Sequence, residues 1–405
     1  MVIKSTRIYT EAGCVDGYVE VARGRIQRII LVEQARKAEG HVFDVGDNRV
    51  IPGIIDIHTH GGGGWVAKDS DNPDEIRNLA RHYASRGIAC FLATASLWSI
   101  EKMCDTISFI ADTMESGNTP GAKILGIHLE APFFNHEKSG AGFQTPEWMP
   151  NPSVEVAKRF VTAGRGHLRY LTLAPELPGA EETIKYLTSA GVRVAAGHTN
   201  ATYDELIRGV DWGVSSIAHA GNAIRMIHQR EPGVLGAMLL EDRLFCELIC
   251  DFIHLHPQFV RLVINNKGTD RIVMVADTSD MAGMETGIYD TKPRVTEMTP
   301  EGVVYIYGSD VMNGSSKYVL NGVENLVERL GYPIEEVAKM SSLNAARLLG
   351  MERERGSIRV GKYGDFTILT DDYEVLYTIS EGVVVYDAQR DDACLNPELL
   401  KLKRR

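Results

Sequence analysis

Val50-Ile51-Pro52-Gly53-Ile54-Ile55-Asp56-Ile57-His58-Thr59-His60, followed by Gly61-Gly62-Gly63-Gly64, is the stretch on which the reading of this chain turns. It is a short, almost wholly apolar run that closes on a carboxylate, two histidines one residue apart and a glycine-rich turn. A run of this kind reads as a strand covered on both faces, here over residues 51–57. Side chains alternate along a strand with period two, so His58 and His60 point to one side.

Seven further apolar runs follow, at residues 89–93, 124–129, 170–174, 192–196, 215–218, 245–250 and 271–276. Between most of them lie stretches of helical period, among them 74–86, 100–115, 181–190 and 203–210. Eight strand-then-helix units in a row favour a (β/α)8 TIM barrel over an open doubly wound sheet. Helical patterns over 317–330 and 334–349 come after the eighth strand and close the barrel.

Both chain ends have a different texture. Gly17-Tyr18-Val19-Glu20-Val21 and Gly24 to Ile30 alternate apolar and polar residues between glycine turns, and so do Gly361 to Leu369 and Glu381 to Tyr386. That alternation predicts antiparallel strands. Chain termini commonly lie close together, so the expected organisation is a small β-sandwich domain built from residues 1–52 and 356–405. The barrel then occupies 53–355.

In a TIM barrel the chemistry sits at the C-terminal ends of the strands. There the sequence places His58 and His60 after strand one, Glu130 after strand three, His198 after strand five, His219 after strand six and Asp277 after strand eight. Four imidazoles and two carboxylates are a ligand set for one or two divalent metals, and zinc, iron, manganese or cobalt would all be accepted. Taken singly, each residue has a plainer reading. A strand-end histidine is more often hydrogen-bonded and structural, and Glu130 and Asp277 could cap the helices that follow. Recurrence at corresponding ends of successive units is what favours the site. His41, His82, His128, His167 and His256 are read as structural.

The composition is that of an ordinary soluble globular protein, 44% hydrophobic and 24% charged. A net charge of −11 argues against nucleic acid and anionic membrane as partners. The start of the sequence lacks the apolar core of a signal peptide and no run approaches the ~20 residues that span a bilayer, so a cytoplasmic location is expected. Six scattered cysteines (Cys14, Cys90, Cys104, Cys246, Cys250, Cys394) are expected to be reduced and buried, with Cys246 and Cys250 structural in a strand rather than a metal pair.

Val50 to His60 resembles the opening signature of the amidohydrolase superfamily, and the chain as a whole resembles the N-acetylglucosamine-6-phosphate deacetylases. The likeness runs through Gly126-Ile127-His128-Leu129-Glu130-Ala131-Pro132, Ala174-Pro175-Glu176, Gly197-His198-Thr199-Asn200-Ala201 and Asn222-Ala223. It continues through Arg230-Glu231-Pro232-Gly233, Asp251-Phe252-Ile253-His254, Gly314-Ser315-Ser316 and Ser342-Leu343-Asn344-Ala345-Ala346. The resemblance implies that Glu130, His198 and His219 hold the main metal, that His58 and His60 supply a second position, and that Glu130 bridges the two. Metal-activated water, its pKa lowered to about 7, would attack the acetamide, with Asp277 taking its proton and returning it to the departing amine. His254 matches a substrate-contacting histidine. Asn222, Ala223 and Arg230 would hold the phosphate of an amino-sugar phosphate, with Arg230 reaching across a homodimer into the neighbouring site, and Met312-Asn313-Gly314 would line the substrate.

The sequence also departs from the family pattern. Gly221 stands where an aromatic residue is usual, which is expected to open space or free the loop. After strand three, Gln144 or His136 is left to polarise the carbonyl. Glucosamine is the first substrate reading and N-acetylgalactosamine 6-phosphate the second. A cyclic-amide hydrolase or nucleobase deaminase shares the His-x-His and terminal Asp, but strand four offers no lysine. A non-catalytic sugar-phosphate sensor would have lost a ligand or Asp277, and all are present.

Overall fold

The computed structural model describes residues 1–34, 42–67, 71–117, 119–139, 146–291 and 295–404. Eight parallel strands form one sheet: β1 (Ile54–Asp56), β2 (Ile88–Ala95), β3 (Lys123–Glu130), β4 (Leu168–Leu173), β5 (Arg193–Ala196), β6 (Val214–Ile217), β7 (Phe245–Ile249) and β8 (Ile272–Val275). Each pairs with its neighbour in chain order from β1 to β8. Beyond their ends β8 meets β1 again, where the Asp277 N–H donates to the His58 carbonyl at 2.8 Å and the His60 N–H to the Thr278 carbonyl at 2.9 Å. The protein is therefore a (β/α)8 TIM barrel.

Alternation along the strands sorts the core into two layers. Ile54, Phe91, Leu171, Val194, Cys246 and Met274 pack outward among the helices. Ile55, Cys90, Leu92, Tyr170, Ala195, Phe245 and Val273 pack inward with Ala345, Ala346 and Leu348 of the helix over Asn344–Leu349. Helices α1 (Pro73–Ser85), α2 (Ile100–Glu115), α3 (Val154–Gly164), α4 (Ala180–Ser189), α5 (Tyr203–Trp212), α6 (Gly233–Leu240) and α7 (Pro257–Lys267) lie between successive strands. Their starts follow ordinary capping chemistry. Asn72 caps α1 ahead of Pro73, and Thr202 with Glu205 forms a capping box on α5.

The run expected as one strand over 51–57 is two. Arg49–Pro52 pairs antiparallel with Phe366–Leu369 in the terminal sheet, and β1 begins at Ile54 in the barrel. Gly53 is the switch between them, because a Cβ there would lie 2.5 Å from the Ala89 Cβ and 3.0 Å from Asp365. The small β-sandwich domain is built from both chain ends. Val2–Thr10, Gly13–Ala22, Arg25–Leu31 and Arg49–Pro52 join Phe366–Leu369, Val375–Ser380 and Val383–Asp387 in one hydrogen-bonded path, with Val42–Asp44 pairing off it against Val2–Thr10. That path wraps a core of its own containing Ile3, Ile8, Val19, Val50, Phe366 and Ile379.

One element had no counterpart in the sequence reading. After β8 an antiparallel sheet of four short strands, Gly287–Tyr289, Thr296–Met298, Val303–Ile306 and Met312–Ser315, stands ahead of the last helices. The cysteine expectation also needs correcting. Cys90, Cys246 and Cys250 are buried, but Cys14 is exposed and Cys104 and Cys394 are partly so.

Candidate metal and catalytic site

Glu130, the last residue of β3, is the centre of the site. Its Oε1 lies 3.2 Å from His58 Nε2, 3.2 Å from His198 Nε2 and 2.9 Å from His219 Nε2. Its Oε2 lies 3.1 Å from His60 Nε2, which is itself 3.3 Å from Asp277 Oδ1. Four histidines thus converge on one carboxylate with Asp277 beside two of them, and the six residues form two groups that could each hold an ion: His58, His60 and Asp277, and Glu130, His198 and His219.

Backbone strain helps to aim them. His198, His219 and Asp277 follow their strands in left-handed conformations, with φ of 47°, 30° and 49°. Residues with a Cβ adopt that region only when the surroundings compel it. For Asp277 the compulsion is visible. Its N–H is held by the His58 carbonyl and its own carbonyl receives the Ser315 N–H, each at 2.8 Å.

The far ring nitrogens of three of the four histidines are occupied, while His219 Nδ1 is buried without a hydrogen-bond partner. His58 Nδ1 faces Glu247 Oε2 at 2.8 Å, His60 Nδ1 faces Ser96 Oγ at 2.8 Å, and His198 Nδ1 donates to the Lys138 carbonyl at 2.8 Å. With Nδ1 so engaged, each Nε2 is left for the centre, as ligand histidines are usually arranged. His58 Nε2 is buried without a hydrogen-bond partner although it faces Glu130. Such an orphan is costly unless something accepts its lone pair, and a divalent cation fits that need. Phe134 stacks on the His198 ring, 4.2 Å between centroids.

The electrostatics agree. Burial opposes charge on His58, yet Glu130, Glu247 and Asp277 outweigh it and hold the ring well above its ordinary value. Against the same burial, Asp277 and Glu130 raise His60, and Glu130 raises His219. Burial pushes the Glu130 and Asp277 carboxyls up, but the neighbouring imidazoles, His58 first, leave both below the usual carboxylate range. A cation would replace the protons that these imidazoles gather. His128 behaves differently. Buried 4.5 Å from the His58 ring and bonded to Thr172 Oγ1 at 2.9 Å, it is pushed well below its ordinary value by burial and by His58. Its ring nitrogens face Thr94 Oγ1 and Thr172 Oγ1, away from Glu130.

Other expected residues border this centre. The Asn222 side chain donates to the His219 carbonyl at 3.1 Å, and Ala223 has φ of 48°. His254 Nδ1 donates to Asp251 Oδ2 at 2.7 Å, and the same oxygen accepts from Ser315 Oγ at 3.0 Å. Through Ser315 the strand Met312–Ser315 is tied both to Asp251 and to Asp277, which draws Met312, Asn313 and Gly314 to the end of β8. A Cβ on Gly314 would come within 3.0 Å of the Asp277 carbonyl. Arg230 is exposed, and its guanidinium has no partner among the described residues. His136 is exposed in a short turn of helix, and Gln144 lies outside the described residues.

Two glycine-bearing loops at the site are close-packed. Gly61 to Gly64 is tightly packed, since a Cβ on Gly63 would sit 2.4 Å from His82 Nδ1 and one on Gly64 2.7 Å from the Asn396 Cβ. Gly221 opens no space. Phe259 and Leu255 fill it, 2.8 and 2.9 Å from where a Cβ would be. Glu247, Ser96 and Phe134 were missed from the sequence. Only Glu247 carried a signal there, as a lone carboxylate inside an apolar strand.

Comparison with known proteins follows this geometry. Residues 49–385 match the family model described as Amidohydrolase family. An N-acetylglucosamine-6-phosphate deacetylase of Vibrio furnissii is 32% identical over 365 residues, covering 90% of this chain and 89% of that protein. An N-acetylgalactosamine-6-phosphate deacetylase of Escherichia coli O157:H7 is also 32% identical, over 362 residues, 89% of this chain and 93% of its own length. The crystal structure of N-acetyl-D-glucosamine-6-phosphate deacetylase from Mycobacterium smegmatis superposes with a TM-score of 0.87 at 29% identity, covering 95% of this chain and all of that one (100%).

Proposed function

The chain belongs to the amidohydrolase family, and we propose that it hydrolyses the acetamide of N-acetylglucosamine 6-phosphate to glucosamine 6-phosphate and acetate. The observation that carries this reading is the convergence of His58, His60, His198 and His219 on the two oxygens of Glu130, with Asp277 beside them. In this reading Glu130, His198 and His219 would hold the main divalent cation and His58 and His60 could hold a second. The cation, whichever of zinc, iron, manganese or cobalt it is, would supply Lewis acidity that acidifies water and polarises the carbonyl.

The chain's own residues do the rest. Asp277 accepts a proton at Oδ1 from the attacking water and returns it to the amine nitrogen, which would otherwise leave as a poor anion. His254, fixed through Nδ1 by Asp251, presents Nε2 to the substrate. Asn222 and the backbone at Ala223 take the phosphate with Arg230, whose fork can bind two oxygens at once. Arg230 lies on an exposed loop that also shows Met226 (48% exposed) and Ile227 (54%). A homodimer in which Arg230 serves the neighbouring site would cover those apolar side chains. A cytoplasmic location agrees with a phosphorylated substrate, and among the described residues no helix is long and apolar enough to cross a membrane.

The equal identity to an N-acetylgalactosamine-6-phosphate deacetylase supports that epimer as a second reading. A cyclic-amide or nucleobase substrate finds less support, since β4 and the residues just after it contain no lysine. Acetate release from both N-acetylhexosamine 6-phosphates and from unphosphorylated N-acetylglucosamine, assayed side by side, is the test. Fast turnover of the glucosamine phosphate alone is expected. Preference for the galactosamine phosphate would replace the first reading with the second, and hydrolysis of none of the three would refute both.

A further inference from the structure

Glu247 stands in the middle of β7 with no exposed surface, among Phe245, Cys246, Leu248 and Ile249. No arginine or lysine among the described residues pairs with it. A carboxylate so placed is tolerated only if its oxygens are fully engaged, and here they are. Oε2 receives His58 Nδ1 at 2.8 Å and the backbone N–H of His219 at 3.0 Å. Oε1 receives the Tyr170 hydroxyl at 2.5 Å, whose oxygen also lies 2.7 Å from Ser216 Oγ. The Glu247 carbonyl receives the Ala220 N–H at 2.8 Å. One residue thus grips the ring of a histidine from one ligand group and both peptide N–H groups around a strained histidine of the other.

We propose that Glu247 is a positioning residue for both metal positions. By taking the Nδ1 proton of His58 it fixes the tautomer that leaves Nε2 bare toward Glu130. By holding the N–H groups of His219 and Ala220 it locks the left-handed turn, φ 30°, that brings the His219 ring to the same oxygen. The inference rests on the reading that these histidines bind a divalent cation. It makes no use of the sugar, so its success or failure is independent of which substrate is turned over.

The test is titration of chelator-stripped full-length protein with cobalt(II), followed by visible absorption and by competition with a chelator of known affinity. Glu247→Leu keeps most of the volume and removes both oxygens, so His58 Nδ1 and the His219 N–H lose the acceptor that holds them. Weakening of cobalt affinity by about 10–100-fold is expected, together with a changed cobalt spectrum at saturation. Wild-type affinity and spectrum in a folded Glu247→Leu protein would overturn the inference and leave the metal reading standing. Should Glu247→Leu fail to fold, Tyr170→Phe carries the test by removing one hydroxyl that holds the carboxylate. Weaker cobalt binding supports the proposal, and unchanged binding overturns it. A wild-type protein that takes up no cobalt overturns the metal reading and this inference together.

Discussion

Asp277 has two partners with opposite claims on it. His60 Nε2, 3.3 Å away, would share a cation with it, and the proposed reaction needs its oxygen for a proton. Asp277→Asn keeps the shape and the backbone links to His58 and Ser315 while removing the base. It is expected to lower turnover by about 10²–10⁴-fold, with substrate affinity changed far less. Steady-state kinetics with metal-loaded protein checks this, and a variant within tenfold of wild type would remove Asp277 from its role. At this scale much was legible in the sequence. Glu130, the four histidines and Asp277 stand out because all sit at strand ends, where a barrel keeps its chemistry. Glu247 was not legible, because one acidic residue in an apolar strand does not say which ring it faces. The left-handed turns at His198, His219 and Asp277 were hidden for another reason. Local sequence disfavours them, and only tertiary bonds hold them in place.

The element most dependent on packing is the glycine turn that follows His60. It closes over α1 against His82, whose Nε2 lies 2.5 Å from the Tyr318 hydroxyl and whose Nδ1 lies 3.1 Å from the Cys394 carbonyl. Burial, with Arg86 adding to it, depresses the His82 pKa from 6.5 to about 3. The unfolded chain therefore binds this proton more readily than the folded one. The contribution of neutral His82 to stability is fully present above pH 6.5 and is lost as pH falls toward about 3. His82→Gln is expected to flatten that part of the acid limb relative to wild type, as read from urea midpoints across pH; parallel limbs would count against it. Elements built from long periodic runs were readable, β2 to β8 within two residues at each end. Two failures share a cause. The split at Gly53 and the four short strands after β8 are decided by which segment pairs with which, and strands such as Thr296–Met298 and Met312–Ser315 lack the apolar run that marks those of the barrel.

On the scale of the whole molecule, the two ends of the chain are pinned to the barrel floor by a buried ionic cluster. Arg355 Nη1 donates to Asp365 Oδ2 at 3.0 Å and Nη2 to Glu381 Oε1 at 2.9 Å, with Nη1 also 3.0 Å from Cys90 Sγ of β2. The Asp365 carbonyl takes the Gly53 N–H at 2.9 Å, at the point where the chain changes sheets. Breaking such a cluster strands a buried carboxylate, so Arg355→Ala is expected to cost about 3–5 kcal/mol in chemical denaturation. A loss under about 1 kcal/mol would show that Asp365 finds other partners. The matching texture of the two ends foretold one shared domain, but not this cluster. Its three charged members lie close in sequence, but alternation within a strand does not say which charges meet, and Cys90 joins them from 265 residues away.

All three scales meet in the claim that the strand ends assemble a cation-dependent amide hydrolase. The most direct measurement is acetate release from N-acetylglucosamine 6-phosphate by chelator-stripped protein as a divalent metal is returned one equivalent at a time. No turnover is expected without metal, with recovery as one to two equivalents are bound and no recovery in the His219→Ala protein titrated in the same way. Turnover that survives complete removal of metal, or that returns equally in the His219→Ala protein, would contradict that claim.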